Sequence, residues 1–316
     1  MKLIAPDYYK DFKCIAGACR HSCCIGWEID VDPDTLAYYH TVEGPLAERL
    51  QKGIDESADP PHFILGEYER CPFLNREGLC DLILGLGEGS LCQICRDHPR
   101  FRSFLSDRTE IGLGLCCEAA GELILKRSER TVLVELEDDG GDQLLHEADR
   151  SMLDWRRELT EMAQDRGRSI EDRAEDILET AQISLEGRSL AEWAEIYLEL
   201  ERLESSWTDR LCELRDIDLQ DASELDTPEW EIAFEQLLVY FLYRHLPGAL
   251  DDGDYEGRAA FAVLSYRIIR ALCRVHAVLH GSITLDDLVE IARQYSAEVE
   301  YSDENVGALL DALFEA

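Results

Sequence analysis

Residues 229–245 read EWEIAFEQLLVYFLYRH, and Ile232, Phe234, Leu237, Leu238, Tyr240, Phe241 and Leu242 leave this stretch without a polar face. A helix that is apolar nearly all round must be covered by neighbours on every side. Glu229–His245 therefore predicts the buried centre of a helical domain, ending before Pro247, whose ring cannot continue a helix. Downstream, apolar residues at three- and four-residue spacing predict helices over Arg258–His280, closed by Gly281, then over Leu285–Val299 and Asn305–Phe314. Upstream, Leu144–Ala163, Ile170–Leu185 and Leu190–Leu203 carry the same period. Together they make a bundle of about seven helices over 143–316.

The polar, glycine-rich stretch Asp138-Asp139-Gly140-Gly141-Asp142 reads as the linker ahead of that bundle. What precedes it is broken into short pieces. Pro33–Tyr39, opened by Asp32 as N-cap with proline at the first helical position, and Pro45–Lys52 predict short helices. Asp59-Pro60-Pro61 marks a connection. Arg100–Leu105 and Glu110–Leu115 flank Ser106-Asp107 as a hairpin, Glu118–Arg127 reads as a helix, and Thr131–Leu136 alternates as a short strand. The fold class expected is mainly α: an irregular, cysteine-rich, metal-binding N-terminal domain over 1–137, with a small hairpin, followed by an all-helical bundle over 143–316.

Ten of the twelve cysteines, Cys14, Cys19, Cys23, Cys24, Cys71, Cys80, Cys92, Cys95, Cys116 and Cys117, fall before residue 118. The N-terminus has no apolar core long enough for an export signal, and no run of about 18 apolar residues occurs, so neither export nor a membrane span is expected. A chain kept in the cytoplasm meets reducing conditions, where clustered thiols more often bind metal than form disulfides. Cys14-x4-Cys19-x3-Cys23-Cys24 places four thiols in eleven residues, and Cys92-x2-Cys95 has the gap that lets both sulfurs of one turn reach one ion. Iron–sulfur clusters and structural zinc both take four thiolates held in this way, and the spacing does not choose between them. Ten thiols exceed one tetrahedral site, so either two sites exist or some cysteines are buried bystanders. Cys212 and Cys273 read as lone buried thiols. The Cys-x3-Cys-x2-Cys signature of radical S-adenosylmethionine enzymes is absent, because Cys24 and not residue 26 follows Cys23. Arg96 and Arg100 read equally as donors to thiolate sulfurs and as surface arginines; His98 reads as a structural histidine rather than a ligand.

The net charge is −36 and uneven: residues 1–117 hold 19 acids and 12 bases, the remainder 48 acids and 19 bases. Such a surface repels phosphate backbones, so nucleic acid is excluded as a partner. With 26 Arg against 5 Lys, the acidity fits adaptation to a salt-rich cytosol, and it also fits attraction of a basic, lysine-bearing partner.

At this point the motifs resemble a known family. Tyr9-x2-Phe12-x-Cys14-Ile15-Ala16-Gly17-x-Cys19-x3-Cys23-Cys24-x-Gly26-Trp27-x-Ile29-x-Val31-Asp32 is similar to the opening of the flagellin lysine-N-methylases. So are Cys71-Pro72-Phe73-Leu74-Asn75, Gly78-Leu79-Cys80-Asp81 and Leu91-Cys92-x2-Cys95-Arg96-x2-Pro99-Arg100. Cys116-x-Glu118-Ala119-Ala120 and the tail Tyr295-Ser296-x-Glu298-Val299-Glu300-x-Ser302-x2-Asn305 extend the resemblance to both ends. The first half also resembles a broader cysteine-rich, zinc- or iron-chelating group. The resemblance implies methyl transfer from S-adenosylmethionine to lysine ε-amines of flagellin. It also implies an iron–sulfur cluster, of the 4Fe-4S type, or zinc held among Cys14, Cys19, Cys23, Cys24, Cys71, Cys80, Cys92, Cys95 and Cys116. The chain departs from the family pattern at Leu115, Cys117 and Tyr301, which stand for serine, proline and histidine.

Methyl transfer to lysine needs a neutral amine, aligned with the methyl group and shielded from water. Tyr240 and Tyr243, with Arg244, on the apolar helix, and Glu298, Glu300 and Asn305 in the tail, are the groups expected to position the amine or accept its proton. Leu82–Leu84 followed by Gly85-x-Gly87-x-Gly89 imitates a nucleotide-binding turn, but the cysteines at 80 and 92 hem it in and no βαβ series follows. Two other classes compete: a metal-binding redox or electron-transfer protein, and a non-catalytic interaction module stapled by its metal.

Overall fold

The structure is a computed structural model that describes residues 1–141, 143–217 and 225–314; Asp142 of the expected linker lies outside them. Along the chain the elements are β1 (Lys2–Pro6), α1 (Pro33–Tyr39), α2 (Pro45–Gly53), β2 (Ile54–Asp55), β3 (His62–Phe63), α3 (Asp81–Leu86), α4 (Gln93–Asp97), β4 (Arg100–Phe104), β5 (Arg108–Leu113), α5 (Glu118–Leu125) and β6 (Leu133–Asp138). Helices follow: α6 (Glu147–Ala163), α7 (Ile170–Ala181), α8 (Leu190–Glu199), α9 (Ser205–Asp216), α10 (Pro228–His245), α11 (Ala249–Asp252), α12 (Tyr255–His280), α13 (Leu285–Tyr295) and α14 (Asp303–Phe314). A π-helical turn over Ser296–Glu300 joins the last two. No helix of the described residues is long and apolar enough to cross a membrane.

The chain divides into two compact units. One comprises residues 1–12, 101–116 and 120–316; the other, residues 13–100 with 117–119. These boundaries differ from the division expected at 1–137 and 143–316, and β1 is the reason. It pairs in parallel with β5, Lys2 opposite Arg108 and Ile4 opposite Glu110, and antiparallel with β6, Pro6 opposite Leu133. The expected hairpin is therefore half of a four-stranded sheet of order β4-β5-β1-β6. Lys2–Pro6, with its charge at one end and proline at the other, carries too few residues to announce itself as a central strand. β6 lies at the edge, and its sequence LVELED is mostly exposed and charged, which discourages pairing with another chain.

In the first unit α10 is buried along nearly its whole length and packs against α12 and α6, as its sequence predicts. α12 ends on Gly281, whose φ of 76° is the left-handed conformation glycine adopts without a Cβ clash. Two further helices open with capping residues: Ser189 accepts from the Glu192 N–H, and Thr284 from the Asp287 N–H. α9 was not among the expected helices, and the helix predicted to run to Val299 gives way to the π-turn at Ser296.

The second unit has little regular structure. Its core is Ile29, Val31, Tyr39, Leu50, Ile54, Phe63, Phe73 and Leu82, with Cys71 and Cys92 buried among them. Asp32 caps α1 as expected, its carboxylate accepting from Thr35 N at 3.0 Å; its other oxygen accepts from Gln93 N at 2.7 Å. One side chain thus caps the first turn of both α1 and α4. Leu82–Leu84, the strand half of the imitated nucleotide turn, is helical, within α3.

Phe241 is wholly buried, its ring 5.7 Å from Tyr295 and 5.2 Å from Tyr240. Phe241→Ala is expected to lower stability by about 3–5 kcal/mol, read as a fall in the urea unfolding midpoint.

Candidate functional site

Within the first unit, the sheet and helices α6 and α10 line a half-open cavity of about 560 Å³. That is within the roughly 300–1,000 Å³ usual for small-molecule sites. Ile4, Val134, Leu153 and Val239 supply apolar wall, and Tyr8, Tyr240 and Tyr243 supply aromatic wall. Glu110 begins the buried stretch Glu110–Leu113 of β5 and is its one charged residue. There it is 1% exposed and paired with Arg156 of α6 through two hydrogen bonds, of 2.7 and 2.8 Å. The Arg156 guanidinium lies 5.1 Å from the centre of the Tyr243 ring, and the Tyr243 hydroxyl donates to the Ile111 carbonyl at 3.1 Å. Charge in this wall is therefore paired, and the tyrosines are locked.

Tyr240 joins the cavity to a second feature. Its hydroxyl donates to the Glu300 carboxylate at 3.0 Å and accepts from Leu115 N at 3.2 Å and from Arg244 at 3.1 Å. Glu300 also receives His245 Nε2 at 2.6 Å and Arg244 Nε at 3.0 Å, and its side chain is fully buried. Two elements thus converge: the last turns of α10 offer Tyr240, Arg244 and His245, and the π-turn brings Glu300 to them. Burial alone would raise the Glu300 pKa, but the Arg244 charge and the His245 hydrogen bond outweigh it and hold the carboxyl below its ordinary value. Burial pushes His245 below the ordinary histidine value against the pull of Glu300, so this ring is neutral and donates from Nε2. Burial also pushes the Tyr240 phenol well up, which keeps it protonated as a donor. Arg244 is sandwiched between Phe101 and Tyr301, at 4.8 and 4.7 Å from their ring centres.

Of the residues singled out from sequence, Tyr240, Tyr243, Arg244 and Glu300 come together, with Tyr240 and Tyr243 on the cavity wall. Glu298 points elsewhere: its oxygens accept from Leu203 N and Glu204 N, each at 2.7 Å, and tie down the chain after α8. Asn305 does the same work on Glu201, accepting at 3.1 Å and donating at 2.9 Å. His245, Glu110 and Arg156 were not foreseen. A glutamate directly ahead of the apolar run Ile111–Leu115 was the available signal for Glu110; nothing local pointed to its partner 46 residues on.

In the second unit all of Cys14, Cys19, Cys23, Cys24, Cys71, Cys80, Cys92 and Cys95 are free thiols, joined there by Cys117. Cys116, expected among the ligands, falls in the helical unit beside Tyr301, and Cys117 is the member of the pair that accompanies the other thiols. The nine differ in burial. Cys71 and Cys92 belong to the unit's hydrophobic core and Cys24, Cys80 and Cys95 pack against it, while Cys24 also hydrogen-bonds Cys23. Cys14, Cys19, Cys23 and Cys117 lie outside it, with Cys19 3.7 Å from Glu118, which is itself paired with Arg20 at 2.7 Å. Cys92 and Cys95 have their sulfurs 3.4 Å apart. In each adjacent couple the shared S–H hydrogen bond splits the thiols: Cys92 and Cys24 are pulled down, Cys95 and Cys23 pushed up. The expectation of a ready-made tetrahedral site is not met: among the described residues no three His, Cys, Asp or Glu side chains converge on one point. Protonated thiols hydrogen-bond in couples, whereas a metal would draw thiolates together. Arg96 is exposed, and Arg100 donates to its carbonyl at 3.2 Å. His98 is half-buried, 6.1 Å from the Trp27 ring, and burial with the Arg100 charge pushes it down to about 4.

The sequence model of a family described as the FliB lysine N-methylase C-terminal domain matches residues 110–316, more than half of the chain. Proteins named lysine-N-methylase from Salmonella choleraesuis and Salmonella typhimurium are each 26% identical to it over 144 residues, 41% of this chain and 34% of theirs. A flagellar biosynthetic protein FliU from Salmonella muenchen is 24% identical over 136 residues, 41% of this chain and 80% of its own. The matches thus span about a third of the two lysine-N-methylases (34%). No solved structure matches.

Glu300 and His245 both hold lower pKa values folded than unfolded. The unfolded chain therefore binds more protons, and the stability they contribute is present above their ordinary values of 4.5 and 6.5 and is lost as pH falls through the folded ones. Glu300→Gln strands the Arg244 charge and is expected to cost about 3–5 kcal/mol at neutral pH. In urea unfolding followed from pH 7.5 downward, the gap between variant and wild type should narrow below about pH 4.5 as Glu300 protonates.

Proposed function

This chain belongs to the FliB lysine N-methylase family, and on that premise we propose that it transfers methyl groups from S-adenosylmethionine to lysine ε-amines of flagellin in the cytoplasm. The family match carries the reading, since it covers the residues of α6, α10 and the π-turn. The names of the relatives, lysine-N-methylase and flagellar biosynthetic protein, support the reaction and the flagellar substrate. The acidic surface supports a lysine-bearing partner, which a net charge of −36 attracts over long range.

The cavity of the helical unit is the proposed reaction site. S-adenosylmethionine would supply there a methyl group on cationic sulfur, which an uncharged lysine nitrogen attacks. The residues present fit such a guest in kind: a sulfonium is attracted to the faces of Tyr8, Tyr240 and Tyr243, and Arg150 and Arg157 at the rim offer partners for a carboxylate. Tyr240 and Tyr243 shape the wall against which the amine is aligned. Their hydroxyls are already engaged, so they orient by position and by ring face rather than by moving a proton. Glu300, Arg244 and His245 lie behind Tyr240 and are positioning residues. Glu298, held by two backbone N–H groups, has its proposed role in holding the loop rather than at the reacting atoms.

The cysteine unit we assign to an iron–sulfur cluster or a zinc ion. The thiols are reduced and two of their sulfurs lie 3.4 Å apart, which is the donor chemistry such a centre takes, but no three of the side chains converge on one point among the described residues. Cys24, Cys71, Cys80, Cys92 and Cys95 would supply the ligands, and the centre would supply structural cross-linking or, with iron, electron transfer.

Mass spectrometry of flagellin incubated with the protein and S-adenosylmethionine should show gains in steps of one methyl group. No gain, with metal bound, would overturn the methyl-transfer reading in favour of an electron-transfer protein. Tyr240→Phe keeps the ring and removes one of the three groups that hold Glu300, and should lower the initial methylation rate by about ten- to a hundredfold through misalignment. Cys92→Ser and Cys95→Ser should each lose metal, measured by elemental analysis, and lose soluble yield with it.

A further inference from the structure

A second half-open cavity of the helical unit, of about 240 Å³, lies among α7, the chain leading into α8, α8 itself and α12, and shares no wall residue with the reaction cavity. Its charge is the reverse of the molecule's. The chain as a whole has 67 acids to 31 lysines and arginines, yet this wall holds Arg188, Arg267, Arg270 and Arg274 against Glu171 alone. Residues 267, 270 and 274 stand three and four apart on α12 and so share one face of it. Leu185, Trp193 and Leu264 add apolar wall. Most of the charge is answered within the fold. Glu171 accepts from Arg267 Nε at 2.9 Å and from Arg270 Nη1 at 2.8 Å. Glu175 takes a second bond from Arg267, and Asp226 one from Arg270 at 3.1 Å. Arg188 lies 5.2 Å from the centre of the Trp193 ring and donates to the Ala312 carbonyl. Arg274 is the exception. It is half-buried, and among the described residues no carboxylate or carbonyl receives its guanidinium; its Nε, like that of Arg270, is shut off from water without an acceptor. A partly desolvated cation beside two others is repelled by them and lacks the hydration that would offset this.

We propose that this cavity binds a phosphate group, as the free ion or as the head of a small phosphomonoester, with Arg274 as the residue that grips it. An anion from solution is the partner that the fold withholds from Arg274. Arg267 and Arg270, their forks largely taken by carboxylates, contribute field more than hydrogen bonds. A tetrahedral oxyanion accepts in several directions at once and can meet guanidiniums ranged along one helix face, whereas a planar carboxylate is saturated by a single fork. The space is smaller than the roughly 300–1,000 Å³ usual for small-molecule sites, which limits the guest to the phosphate and a short body lying against Leu185 and Leu264.

The full chain would be titrated calorimetrically at constant ionic strength with sodium phosphate, phenyl phosphate and acetate, and its urea unfolding followed with and without phosphate. Phosphate should bind more tightly than acetate. Tighter binding of phenyl phosphate identifies an ester whose body uses the apolar wall; binding no tighter than that of phosphate identifies the free ion. Arg274→Gln breaks no pair of the fold, so without ligand it should unfold at the wild-type urea concentration or above it, and it should bind phosphate about tenfold or more weakly. Arg274→Lys keeps the charge without the fork and should fall between the two. Phosphate should raise the unfolding midpoint of the wild type and leave that of Arg274→Gln in place. An equal rise in both midpoints, the effect of an ion merely excluded from the surface, would overturn the site. So would acetate binding as tightly as phosphate, no binding of phosphate at all, or equal phosphate affinity in the wild type and either variant. Loss of binding in Arg150→Gln instead of Arg274→Gln would also overturn it, because the phosphate would then lie at the reaction cavity.

Discussion

A carboxylate with no exposure to water is expensive unless its charge is answered, and the helical unit is arranged around answering one. Glu300 meets a guanidinium, a neutral imidazole and a phenol, and all three come from the last turns of α10. The same phenol reaches back to the backbone at Leu115. An apolar helix can slide or rotate against apolar neighbours at small cost. A helix that must deliver Tyr240, Arg244 and His245 to one carboxylate has a single register. The buried Glu110–Arg156 pair imposes the same demand between β5 and α6. These polar contacts contribute specificity to a core whose stability comes from Leu, Phe and Ile.

What the sequence made legible follows from how local each signal is. Asp32 before Pro33, Gly281 after His280 and the unbroken apolar run of α10 each declare themselves within a few residues, and each stands where expected. α9 was missed although Trp207, Leu211 and Leu214 are buried at helical spacing, because its exposed face, rich in Ser, Asp, Glu and Arg, dilutes that stripe. β1 was missed because a five-residue strand has no period to speak of, and its partners lie more than 100 residues away.

The candidate site divides along the same line. That α10 would present tyrosines inward was readable; that Glu300 rather than Glu298 would meet them was not. Two residues apart in sequence, they are turned in different directions by the π-turn, one to a guanidinium and one to backbone N–H groups. In the cysteine unit the thiols could be counted from sequence, but only folding shows that Cys71 and Cys92 lie in the core and that Cys24, Cys80 and Cys95 pack against it. Cys116 and Cys117, adjacent in the chain, fall in different units because consecutive residues need not face the same surroundings.

The parallel pairing of β1 with β5 also orders events during synthesis. A parallel partner cannot be reached through a tight turn, and here the crossover is the chain from residue 7 to residue 107, including nearly all of the cysteine unit. β1 leaves the ribosome before its partners and must wait, unpaired, until β5 and then β6 emerge, while residues 13–100 form a continuous stretch able to collapse meanwhile. The thiol-bearing insertion thus has a head start on the sheet that closes around its ends. An insertion still unfolded when β5 emerges leaves β1 with a longer loop to close, so the folding of residues 13–100 bears on the yield of the whole chain.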